Sequence, residues 1–510
     1  MQGCAQVAEV IFPWKVITQM AFCRNTTIFH IFWIICLKGV QAIGDFKIRY
    51  IVIVMVTALF TITCNALAAA PTEHGELTSD MFTDNTKCAQ CHAIIHYQWE
   101  GTMHYNAFED PFYQREFAAA SNDTEGSLDI FCSRCHTPIG VVSGEIPPID
   151  GSQLSTKARQ GVQCDFCHVV SDSNGTGNAP FVVTPGKTKW GPFNDSKSAY
   201  HESEYLELYT RSEYCGMCHE VVHPLNGLVV DDTYTTWKEG PYAEEGVVCQ
   251  DCHMTPGITK FEANPGRAGS STQKREHIST HDIVGGNAFV TAILGEKRYS
   301  EMAVERLEKT ATVFIDAPEV AQRGDNVSMN ISITNSGAGH KIPTGVSEIR
   351  QMWVAVSVKD RNGKEVYTTG EIDDDGNIMN ATKMYNTVLG DAQGQPTLSF
   401  WLAESVLVDN RIPPKGTATE RHNFKIPVDV VYPLTVKATL KYRSAPQETV
   451  DYLFGDNLYE VPVINMRIVS SNIYENEGEA TEAPSTPGIT ALGSITFVIC
   501  AAFCIRRRKI

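Results

Sequence analysis

This sequence predicts a mostly helix-and-loop domain with little regular strand, built around a repeated metal-binding motif, and after it an Ig-like β-sandwich. Three observations carry that prediction. Five Cys-x-x-Cys-His runs lie between Cys88 and His253, period-two alternation begins near residue 305, and a strong hairpin turn sits inside the alternating region.

The runs are Cys88-Ala-Gln-Cys91-His92, Cys132-Ser-Arg-Cys135-His136, Cys164-Asp-Phe-Cys167-His168, Cys215-Gly-Met-Cys218-His219 and Cys249-Gln-Asp-Cys252-His253. Each has the spacing of a covalent haem c site, with two thiols for the porphyrin vinyl groups and a histidine as proximal iron ligand. Thioredoxin-like pairs and zinc ribbons need no histidine after every pair, so five such runs exclude both readings. First cysteines are 44, 32, 51 and 34 residues apart, a repeated chemical unit without a repeated fold. The sequence therefore predicts five haems c in a multihaem domain over 71–304, its apolar core supplied largely by the cofactor. Short helical segments are expected there, as in Tyr200 to His219 and Ile278 to Leu307.

Ten of the 16 cysteines belong to these runs. Cys4, Cys23, Cys36 and Cys64 precede the expected processing point, and Cys500 and Cys504 lie in the terminal apolar run, so none is left within 71–487 for a disulfide. Residues 47–70 have the order of an export signal: Lys47 and Arg49, an apolar run from Ile51, then small residues before Pro71. Residues 1–46 read either as an over-extended start or as a preceding membrane segment. At the other end an acidic Pro/Ser/Thr-rich stalk, 473–488, leads into an apolar segment within 489–510 that closes on Arg506 to Lys509. That segment is either a retained transmembrane anchor or a sorting signal that is removed.

The net charge is −17; the terminal stretches 1–70 and 488–510 carry +3 and +4, leaving −24 on 71–487. Such a surface excludes nucleic acid as a partner and suits an exported, extracellular or cell-surface protein.

From 305 to 472 the chain reads as strands: Thr312–Asp316, Val327–Thr334, Gln351–Val358, Lys364–Thr368 and Leu434–Tyr442. Asp360-Arg-Asn-Gly363 is the hairpin turn between two of them. About seven short strands over this length predict the Ig-like sandwich.

Five irons need five further ligands if all are six-coordinate. Outside the runs the exported stretch offers His74, His96, His104, His201, His223, His277, His281, His340 and His422. The segments Gln98 to His104, His201 to Tyr205, Val222-His223-Pro224, His281 to Gly286 and Gly339 to Gly345 resemble elements of the multihaem cytochromes related to the tetrahaem cytochrome of nitrifiers and to archaeal extracellular cytochrome filaments. That resemblance spans roughly residues 80 to 360. It implies distal ligation by His104, His201, His223, His281 and His340, with His277 as a rival to His281. His223 follows His219 by four residues, so the two share a face if the segment is helical and serve different irons. Two imidazoles per iron leave no open position, which favours an electron carrier over an enzyme. The resemblance further implies electron hopping, either in a filament of head-to-tail copies or in an anchored monomeric relay. His74, His96 or His104 would be the ligand crossing between filament subunits, and the partners would be membrane or surface redox proteins and extracellular acceptors. A multihaem oxidoreductase of small nitrogen or sulfur compounds is the alternative.

Overall fold

The computed structural model describes residues 70–482, except 374, 375, 380, 381 and 457. The expected leader, the alternative membrane segment within 1–46, and the apolar tail 489–510 lie outside the described residues. Among those described, no helix is long and apolar enough to cross a membrane. The chain divides into two compact units, one of residues up to 235 with 246–283, the other of 236–245 with 284 onward.

The first unit is a set of short helices: α1 (Asn85–Ala89), α2 (Ala93–Trp99), α3 (Pro111–Asp123), α4 (Asp129–His136), α5 (Pro138–Val142), α6 (Thr156–Arg159), α7 (Cys164–Cys167), α8 (Glu213–Gly216) and α9 (Cys249–His253). Their starts follow local chemistry. The Asp84 carboxylate accepts from the Thr86 N–H at the head of α1, and Asp110 accepts from Phe112 and Tyr113 at the head of α3, with Pro111 in the first turn. Regular strand is confined to two-stranded ladders, including β1 (Val170–Ser173) with β2 (Phe181–Val183) and a parallel pair of Thr188–Gly191 with Glu202–Tyr205. Tyr200 to His219, expected as helix, is therefore split into this strand, a 3-10 turn at Glu207–Thr210, and α8. In Glu202–Tyr205 only Ser203 is half-buried, so it is the pairing with Thr188–Gly191 that holds the segment extended against local helix preference.

The core of this unit gathers Phe82, Phe108, Tyr113, Phe117, Phe166 and Phe181 with aliphatic residues, and Cys132, Cys135, Cys167 and Cys218 pack against it. Thiols of the second, third and fourth motifs thus line this interior.

The second unit contains α10 (Ala288–Ile293) and α11 (Lys297–Thr310), followed by strands β3 (Ala311–Asp316), β4 (Asn326–Asn335), β5 (Gln351–Lys359), β6 (Glu365–Thr369), β7 (Thr417–Lys425), β8 (Leu434–Arg443) and β9 (Ile464–Ile473). One antiparallel sheet has the order β7-β4-β3 and a second β6-β5-β8-β9, while a third, smaller sheet pairs Thr387–Gly390 with Pro396–Thr397 and with Ser405–Asp409. Strand β4 buries Val327, Met329, Ile331 and Ile333 on one face, and β8 buries Leu434, Val436, Ala438 and Leu440, all in one core. The turn at Asp360 joins β5 to β6, with Gly363 at φ +84°; only glycine takes that conformation at little cost. No closed barrel forms among the described residues. The main segment of the unit begins at 284, upstream of the texture change near 305, because Tyr299, Ala303 and Leu307 of α11 enter the strand core. Past β9 the acidic stretch includes a short helix, Glu477–Glu482.

Candidate multihaem centre

Each Cys-x-x-Cys-His run is a single helical turn. The N–H of His92 donates to the Cys88 carbonyl at 2.8 Å, His168 to Cys164 at 3.0 Å and His219 to Cys215 at 3.0 Å, while the second and fifth runs lie within α4 and α9. Helical spacing sets the two thiols on one face and carries the histidine one turn onward. The ten cysteines are not joined in disulfides, which leaves their thiols available for thioether bonds.

Three proximal rings are oriented from behind. His92 Nδ1 bonds the Ala268 carbonyl at 2.6 Å, His136 Nδ1 that of Ala107 at 2.7 Å, and His168 Nδ1 that of Trp190 at 2.7 Å. A carbonyl only accepts, so each Nδ1 carries the proton and Nε2 keeps its lone pair for a metal. Burial pushes His136 down to about 4 and also lowers His168, so both rings are neutral near pH 7.

Opposite three of the proximal rings, those of His92, His168 and His219, stand three of the expected distal histidines. His201 faces His92 with ring centres 6.4 Å apart, His104 faces His219 at 6.1 Å, and His281 faces His168 at 6.5 Å. Two imidazoles gripping one metal, each through a nitrogen at about 2 Å with its ring centre about 1 Å beyond, put those centres about 6 Å apart. The spacing fits an iron in each gap. His201 Nδ1 bonds the Glu202 carbonyl and His281 Nδ1 the Ser279 carbonyl, again leaving Nε2 for a metal. Burial pushes both His104 and His281 down to about 4.

The other histidines sit differently. His277, the rival to His281, accepts the Asn264 N–H at Nδ1, so its neutral form holds the proton on Nε2. His223 lies just past Val221–Val222, which pairs with Val229–Asp231, so the helical spacing argument does not apply to it; its Nδ1 accepts from Leu225 N–H at 3.3 Å. His340 lies in the second unit, its Nδ1 bonding the Lys341 carbonyl at 2.9 Å. His422 is a buried residue of the strand unit, on the Tyr367 hydroxyl. His74 and His96 commit Nε2 to the Ile146 carbonyl and to Asn85, and His104 is turned to His219. As placed, all three expected crossing ligands are engaged within the chain.

The motifs touch out of sequence order. Thiols of different motifs lie side by side: Cys88 with Cys164, Cys135 with Cys218 and Cys215 with Cys249. The first motif thus meets the third, the second meets the fourth, and the fourth meets the fifth. Cys167 stands close enough to Cys215 and Cys218 to act on both thiols, linking the third motif to the fourth. Around His136 the neighbouring ring is Tyr113, stacked at 3.7 Å and 4°; no histidine ring faces it among the described residues. Sequence reasoning missed Tyr113, Tyr209 and Tyr214, since an aromatic residue near a motif carries no spacing rule of its own.

Residues 87–169, which include the first three motifs, match the family "Cytochrome c554 and c-prime". The fold resembles the crystal structure of a penta-heme cytochrome c552 from Thermochromatium tepidum, at TM-score 0.53 and 18% identity over 79% of this chain and 100% of that one. These findings support a multihaem c-type cytochrome. A CARDB domain from Pyrococcus furiosus, solved with di-metal ions, also matches over 32% of this chain and 85% of its own, at 13% identity and TM-score 0.16. No curated protein matches the chain. The three ring pairs have the spacing of two imidazoles on one low-spin iron.

Proposed function

We propose that this chain carries electrons outside the cell by hopping among five covalently held haems c, as the repeating subunit of a head-to-tail filament. The observation that carries the electron-transfer reading is the set of three histidine pairs at 6.1 to 6.5 Å. Iron held between two imidazoles keeps its ligands in both oxidation states, which suits transfer over substrate binding. The five motifs and the penta-heme neighbour support the count of five.

Contacts among the motifs support a continuous path running first, third, fourth and fifth, with the second beside the fourth. The filament reading draws on the resemblance to extracellular cytochrome filaments. Ile94 and Tyr97, 72% and 63% exposed on α2, support it further, because they set apolar surface just past His92 at one end of that path. Since His74 and His96 are engaged at Nε2, subunits in this filament meet by surface docking or through another histidine. The sheet orders of the strand unit suit an Ig-like sandwich. Residues 47–70 export the chain, and 489–510 are retained as an anchor or removed.

Electron microscopy of material sheared from the producing cells, with haem staining of the same sample, tests this. Haem-positive filaments with an unbroken haem row support the proposal; discrete haem-positive particles leave an anchored relay. The alternative, an oxidoreductase, needs one open iron, and His136 is a proximal ring with no histidine ring facing it among the described residues. An open iron at the second motif would appear as a high-spin signal that changes on adding nitrite or sulfite.

A further inference from the structure

We propose that Tyr209 and Tyr214 are positioning residues for the third haem site, and that their turn couples that site to the fourth and fifth. The inference rests on reading Cys164 to His168 as a haem site.

Tyr209 lies on the 3-10 turn Glu207–Thr210, and Tyr214 lies on α8 immediately before Cys215. The Tyr209 hydroxyl is 2.5 Å from the Cys167 carbonyl and 3.0 Å from that of Val170, and the Tyr214 hydroxyl donates to the same Cys167 carbonyl at 2.8 Å. Those carbonyls bracket His168, so the phenols fix the backbone from which the proximal imidazole projects. Tyr209 also stacks on the His168 ring, centres 5.8 Å apart and planes 16° apart. The two tyrosines lie 4.7 Å from one another, centre to centre.

The fifth motif holds the same turn. Gln250 donates its side-chain amide to the carbonyls of Tyr209 and Arg211 at 3.3 and 2.9 Å, and the Cys249 N–H reaches the Ser212 hydroxyl at 3.1 Å. One short segment therefore grips the third motif by phenols, continues covalently into the fourth, and is gripped by the fifth.

A helix end needs partners for its last carbonyls, and a single phenol would meet that need at Cys167. Two phenols on that carbonyl, one of them stacked on the ligand ring, exceed it. Groups behind a metal ligand set its orientation and basicity, and with them the reduction equilibrium of the metal.

The test uses the haem-loaded full chain carrying Tyr209→Phe, Tyr214→Phe, or both, followed by potentiometric titration with optical and electron paramagnetic resonance detection. Tyr209→Phe loses both hydroxyl contacts but keeps the ring stack. It is expected to change the reduction equilibrium of one haem several-fold, and to alter one low-spin signal while the others hold. Tyr214→Phe moves the same haem by less, and the double variant falls short of the sum because the two share an acceptor. Titrations and spectra unchanged in Tyr209→Phe, with only a lower melting temperature, would overturn the proposal and leave the pair as a structural cap. Mass spectrometry of the unmodified chain keeps the underlying reading separate: a Cys164–His168 peptide without haem mass overturns that reading, and this inference with it.

Discussion

His104 and His219 stand edge to face, with ring centres 6.1 Å apart and planes at 88°. The other two pairs, His92 with His201 and His168 with His281, are tilted by only 34° and 31°. Imidazole planes near a right angle leave the iron d orbitals closer in energy than planes near parallel. The fourth haem is expected to give a large-g low-spin signal distinct from those of the first and third. His104→Ala should abolish that signal, convert one haem to high spin, and leave the others; a spectrum identical to the parent would show that His104 does not bind iron.

Gly161 holds the loop beneath His104. Its φ is +62°, and a Cβ there would come within 2.5 Å of the His104 carbonyl and 3.0 Å of the Ala107 N. Gly161→Ala combines a disfavoured backbone with a clash against backbone atoms, a cost of about 1–3 kcal/mol. Thermal unfolding of the haem unit should fall, with broadening of the His104-dependent signal. An unchanged melting temperature would mean that the loop shifts freely and does not place His104.

Acid should weaken the strand unit through Asp409. Burial works to raise its carboxyl, but hydrogen bonds from Arg411 and Lys341, together with the Arg411 charge, hold it well below the usual range. A depressed carboxylate contributes stability above its unfolded value of about 4 and loses that contribution as pH falls toward its folded value. Asp409→Asn is expected to cost about 1–3 kcal/mol at neutral pH and to flatten the decline below pH about 4. Melting curves across pH check this, and a parallel acid slope in the variant would remove Asp409 from the account. Lys341 follows His340 directly, so the variant also loosens the loop that carries His340.

Trp353 is fully buried on β5 and donates its indole N–H to the Gly370 carbonyl at 2.9 Å. Trp353→Ala should destabilise the strand unit by about 3–5 kcal/mol. Denaturant unfolding followed by strand-unit fluorescence and by haem absorbance measures it. A loss below about 1 kcal/mol would mean that the site refills on truncation.

Much of this architecture is legible in the residues because the chemistry is local. A Cys-x-x-Cys-His run makes its own helical turn, and alternation such as Val327, Met329, Ile331 and Ile333 encodes one buried strand face. Asp360 to Gly363 marks a hairpin by turn chemistry alone. The contact order of the motifs is not legible, since Cys88 meets Cys164 across 76 residues through packing that no spacing rule contains. The carbonyls of Ala107, Trp190 and Ala268 that orient proximal histidines are equally invisible, because a backbone carbonyl has no sequence identity. Residues 236–245 lie between the fourth and fifth motifs in sequence yet pack in the strand unit, where the Thr236 hydroxyl meets the Lys341 N–H. Texture alone assigns that stretch to its neighbours.

The most direct test of the central claim is an electron paramagnetic resonance redox titration of the purified haem-loaded chain, with covalent haem counted on the same sample. Five haems per chain, all redox-active and at least three of them low-spin with two nitrogen ligands, are the predicted result. Fewer than five covalent haems, or predominantly high-spin iron at His92, His168 and His219, would contradict it.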